Sequence, residues 1–126
     1  MSGGAEAREA ALGALYEANQ RGSDPEVEGL GARAARMVEG VWADRESLDA
    51  AIGDVSHRWR PERMPPVDLT VLRIALWELR QTPDTPVAVV ISEAVRLAKE
   101  FSTESSGRFV NGVLAELAER EGTAPA

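Results

Sequence analysis

The 126-residue chain has no cysteine and a single histidine, His57. Disulfides, thiolate nucleophiles, iron–sulfur ligation and ordinary zinc sites all need several such side chains converging, so neither a metal site nor a cofactor is expected. Aromatic residues are scarce at 5%, whereas there are twenty alanines. That balance favours close-packed helices over sheets built from branched and aromatic side chains, and the expected class is all-α. Positive charge is also short, with 14 basic against 21 acidic side chains and a formal net charge of -7. Non-specific coating of nucleic acid relies on a cationic surplus and counterion release, so any RNA contact here has to be local, specific or helped by a partner. The longest strongly apolar run, Val87 to Ile91, is far too short to cross a bilayer. The first residues, Met1 to Glu6, lack a charged n-region and an apolar h-region, so a cytoplasmic protein without a membrane partner is expected.

What is present reads as one domain of helices. Ala7, Ala10, Ala11, Ala14, Leu15 and Ala18 recur at helical spacing and predict a helix over 5–20. Gly22 to Pro25 breaks it, and a second helix is predicted from Pro25, with three glycines inside it that each cost about 1 kcal/mol against alanine. A break near Ala43 to Arg45 and a third helix ending by Arg60-Pro61 complete an N-terminal half over 5–60. Pro61, Pro65 and Pro66 make 60–67 a stiff connector. The C-terminal half, 68–120, opens with a segment apolar on more than one face, Asp68 to Leu79, which predicts the central core helix. Thr85 as N-cap and Pro86 at the first position start the next helix, which runs to Phe101. A polar, cap-rich junction at 102–107 leads to a last amphipathic stripe through Leu117, and 121–126 reads as a frayed tail.

Catalytic chemistry finds little footing. The carboxylate pairs Asp44/Glu46, Asp49/Asp54 and Glu116/Glu119 sit on what reads as solvated helix faces. Ser56 and His57, being adjacent, point about 100° apart on a helix and do not form a nucleophile–base pair. Glycine-rich phosphate loops, dinucleotide fingerprints and metal-binding helix motifs are missing, so an enzyme is not expected. The junction is the richer feature, since Ser102, Thr103, Ser105, Ser106 and Gly107 are flanked by Phe101, Arg108 and Phe109. Hydroxyls and helix-start amides can hold a phosphate, an arginine can neutralise it, and an open ring stacks on an unpaired base for about 1–3 kcal/mol. The same residues also serve as helix caps and core rings, and the junction taken alone leaves both readings open.

The ordered stretches Val71-Leu72-Arg73-Ile74-Ala75-Leu76-Trp77-Glu78-Leu79, Asp84-Thr85-Pro86, Val90 to Phe101 and Phe109-Val110-Asn111-Gly112-Val113-Leu114 resemble the NusB family of transcription antitermination factors. A looser match at Ala7 to Tyr16 carries the likeness to the N-terminus. The resemblance implies an all-α fold of two small helical bundles packed together, and a non-catalytic adaptor. Its partners would be boxA-type single-stranded RNA of ribosomal RNA leader transcripts, the ribosomal protein NusE, and through them an antitermination complex with RNA polymerase. Carried over by motif, the RNA surface would use Arg8, Tyr16, Phe101, Glu104, Ser105, Ser106, Arg108, Phe109 and Asn111. The NusE surface would use Asp68, Arg73, Glu78 and Glu93. Many members have an arginine-rich start, whereas here Arg8 is the only basic residue among the first twenty, so weak RNA binding without NusE is expected. Rival readings are an RNA-free interaction or dimerisation module, in which a second copy is the partner, and a stand-alone relative of the NusB-like domain of ribosomal RNA methyltransferases.

Overall fold

Small side chains let the first helix, α1 (Ser2–Arg21), seat Ala7, Ala11 and Ala18 directly against its neighbours, with Leu12 and Leu15 filling the spaces between them. Gly22, at φ 71, closes it in a left-handed conformation that favours glycine. The structure is a computed structural model and describes residues 2–122; the rest of the expected C-terminal tail lies outside the described residues. After α1 come α2 (Ala32–Val55), a 3-10 turn (Pro61–Arg63), α3 (Pro66–Gln81), α4 (Val87–Phe101) and α5 (Glu104–Arg120).

Several boundaries differ from the sequence expectation. The second helix starts at Ala32, because Pro25 and the left-handed Gly29, at φ 87, keep the preceding segment irregular. No break interrupts it near Ala43 to Arg45: the buried positions Val38, Val41, Leu48, Ile52 and Val55 step by three, seven, four and three and so stay on one face throughout. It ends at Val55, leaving Trp59 beyond the helix. At the start of α4 the capping position belongs to Pro86, whose carbonyl accepts from the Val90 amide at 3.1 Å, and Thr85 makes no cap. Glu121 accepts two hydrogen bonds from Arg80, at 3.0 and 2.9 Å, so the tail is tied down at its first residue.

The central helix α3 is buried continuously from Asp68 to Leu79 and touches α1, α2, α4 and α5. Burying a leucine or isoleucine such as Leu72, Ile74 or Leu76 contributes roughly 1.5–3 kcal/mol each. Gly40 shows why α2 tolerates a helix-weakening residue: a Cβ there would lie 2.4 Å from Trp77 Nε1, so the indole of α3 packs straight onto the α2 backbone. One cluster of buried side chains runs through all five helices, joining the α1–α2 pair to the α3–α5 bundle.

Candidate nucleic-acid interface

The junction between α4 and α5 spends most of its hydroxyls on itself. Thr103 Oγ1 caps α5 by accepting from the Ser106 amide at 3.1 Å. It also lies 3.1 and 3.0 Å from the hydroxyls of Ser105 and Ser106, while Ser106 donates to Ser102. Ser106 is buried; Glu104, Ser105, Arg108 and Asn111 are exposed. Gly107 is buried beneath the Lys99 stem, where an added Cβ would meet Lys99 Cγ at 2.8 Å.

The two phenylalanines flanking this junction part company. Phe101, 43% exposed, stands in an open groove of ≈ 460 Å³ with Tyr16, Leu12 and Gly13 of α1 and Val67 of α3. Glu9 is the one charged residue of that lining. Phe109 is half-buried with its ring centroid 5.1 Å from that of Trp59, tilted by 60°. Around it lie His57, Arg58, Arg108 and Glu116 in a shallower depression of ≈ 300 Å³. Arg58 also sits 5.2 Å from the Trp59 ring centroid. Neither Arg58 nor Arg108 is in an ion pair among the described residues, so both guanidinium groups are open to an anion.

The remaining motif positions lie below the surface. Arg8, 4% exposed, donates through Nε and Nη2 to the two carboxylate oxygens of Glu78 at 2.7 and 2.8 Å. That hydrogen bonding holds the Arg8 guanidinium above its ordinary pKa despite the desolvation that opposes it. A guanidinium held in this way leaves little for a phosphate. Arg73 forks onto Asp49 at 2.7 Å, and Glu93, half-buried, pairs with Arg96 at 3.2 Å. Asp68 is buried at the third position of α3, with one oxygen unpartnered. A carboxylate there commonly returns to the amide of the capping residue, but that residue is Pro65, which has none. Of the other carboxylates weighed as pairs, Asp49 is taken by Arg73 and Glu116 by Arg120 at 3.3 Å. Among the described residues no three His, Asp or Glu side chains gather to hold a metal, and no helix is long and apolar enough to cross a membrane.

Sequence reading did not single out Arg58, Leu12 or Val67 as lining either depression. The run Arg58-Trp59-Arg60 ahead of Pro61, basic and aromatic together, was the available signal for the first. For the groove the signal was Gly13, which leaves a gap beside Tyr16 on α1.

The all-helical domain presents an apolar groove on one side of the α4–α5 junction and a cation–aromatic patch on the other. The family model described as the NusB family matches residues 5–119. A transcription antitermination protein NusB from Kineococcus radiotolerans is 40% identical, with 98% of each chain covered. Among solved structures, T. maritima NusB superposes with a TM-score of 0.83 at 31% identity, covering 96% of this chain and 92% of that one. A crystal structure of the antitermination factors NusB and NusE in complex with dsRNA gives 0.83 at 26% identity, covering 95% and 98%. The chain belongs to the NusB family.

Proposed function

We propose that the chain is a non-catalytic transcription antitermination factor that holds a short boxA-type RNA on one face and the ribosomal protein NusE on another, within an antitermination complex with RNA polymerase. The observation that carries this reading is the unlike surroundings of the two phenylalanines. Phosphate needs cations, and two arginines outside any ion pair among the described residues, Arg58 and Arg108, flank Phe109, a ring able to stack on an unpaired base. Exposed Ser105 and Asn111, on the same helix, add hydrogen-bonding groups. The groove at Phe101 offers apolar area and a single carboxylate, Glu9, which repels phosphate and suits a cationic protein segment. Tyr16 and Phe101 then anchor NusE, while Asp68, Arg73, Glu78 and Glu93 shape the helices beneath them.

With two open guanidinium groups at the patch and a net charge of -7, RNA binding by the chain alone is weak and rises steeply when a cationic partner joins. Fluorescence anisotropy with a boxA oligonucleotide, with and without purified NusE at physiological salt, tests this. Tight RNA binding without NusE, or no binding with it, contradicts the reading; the second result is what an RNA-free interaction module would give.

A further inference from the structure

The firmest polar attachment of α1 lies outside the lining of the groove. The Arg8–Glu78 fork joins α1 to α3 through side chains that are 5% and 2% exposed. Arg8 Nη1 also lies 3.8 Å from Glu93 on α4. Arg96 holds Glu93 at 3.2 Å and reaches Glu100 at 3.0 Å and Glu9 at 3.8 Å, so one set of charges ties α1, α3 and α4 together.

Tyr16 stands eight residues beyond Arg8 on α1, and Phe101 stands eight residues beyond Glu93 on α4. At 1.5 Å per residue both intervals are about 12 Å. The charges therefore clamp one end of the space between the two helices and the rings face it at the other. A helix is stiff over two turns, so any roll of α1 about its axis at Arg8 arrives undiminished at Tyr16. A planar bidentate fork fixes that roll in a way a point charge does not. Stability alone explains such a pair poorly, because apolar residues of similar volume commonly replace a buried ion pair without loss.

We propose that the Arg8–Glu78 fork, steadied by Glu93, is a positioning element that sets the roll of α1 and thereby the spacing of Tyr16 and Phe101 across the groove. The proposal rests on the groove being the NusE-docking surface. In it Arg8 and Glu78 touch neither ligand.

Three full-length proteins decide it: the unmodified chain, Arg8→Met/Glu78→Met, and Arg8→Lys, which keeps the charge but not the fork. Tyr16 is the one tyrosine, so labelling with 3-fluorotyrosine gives a single fluorine resonance that reports on the groove with no ligand present. The double variant is expected to melt at or above the unmodified temperature, to shift or broaden the fluorine line, and to bind purified NusE at least fivefold more weakly. Arg8→Lys is expected to fall between the two and carries the test if the double variant does not fold. A loss of NusE affinity under fivefold in a folded double variant, an undiminished affinity in Arg8→Lys, or a superimposable fluorine line overturns the proposal. If the unmodified chain itself does not bind NusE, the docking reading fails separately, and the fluorine line alone decides whether the fork positions Tyr16.

Discussion

Phe101 and Phe109 occupy similar stripe positions on either side of one junction, yet one stands open in a groove with a lone carboxylate and the other leans on Trp59 between two arginines. The lesson is that a ring's role is set by the charge around it. Apolar area without cations recruits protein, whereas the same ring among unpaired guanidinium groups recruits nucleic acid. In a chain with seven more acidic than basic side chains, which ring an unpaired arginine stands beside matters more than the total of basic residues.

The contrast can be broken or sharpened by substitution. The largest effect is expected from Glu78→Ala, which takes its bidentate partner from a buried guanidinium and should cost about 3–5 kcal/mol of stability in urea unfolding. A loss under about 1 kcal/mol would mean that the pair is open to water. Phe101→Ala should weaken NusE docking by about 2 kcal/mol in isothermal titration, as loss of an aromatic anchor does. Because the ring is 43% exposed, stability should fall far less than for a core phenylalanine. Across the junction, Arg58→Ala and Arg108→Ala should each flatten the dependence of log K for RNA on log salt by about 0.7, the share of one phosphate contact on a single strand. An unchanged slope in both would empty the patch of its proposed role. The smallest effect belongs to Glu104→Gln, since its contact with Lys99 is 3.9 Å long between exposed side chains; the melting midpoint should move by no more than the equivalent of about 0.5 kcal/mol.

Much of the fold was legible because its strongest signals are local. Asp68 to Leu79 is apolar around its circumference and is the buried centre, and the run of hydroxyl residues supplies the Thr103 cap of α5, although the turn is only Ser102 and Thr103 and the expected junction residues 104–107 already belong to the helix. The 25–31 segment misled because the spacing of Val27 and Leu30 is compatible with a helix, while the left-handed backbone of Gly29 is visible only in three dimensions. In the site, the exposed junction residues could be read from composition, but the burial of Arg8 could not be read from its charge. The pattern did hold a clue: Arg8 lies four and seven residues before the buried Leu12 and Leu15, on the inward face of α1, and Glu78 lies inside the continuously buried helix α3. Opposite charges on two inward faces call for each other, but pairing them across 70 residues takes the tertiary fold. The separation of Phe101 from Phe109 depends on Trp59 and Arg58, which arrive from the connector that follows α2.

The division of labour between the two faces is tested most directly by titrating boxA RNA, without NusE and at one fixed salt concentration, into Phe101→Ala and Phe109→Ala. The account predicts that Phe109→Ala loses about 1–3 kcal/mol of RNA affinity, the worth of one stacked base, while Phe101→Ala binds as the unmodified chain does. Equal losses in the two variants, or a loss confined to Phe101→Ala, would contradict it.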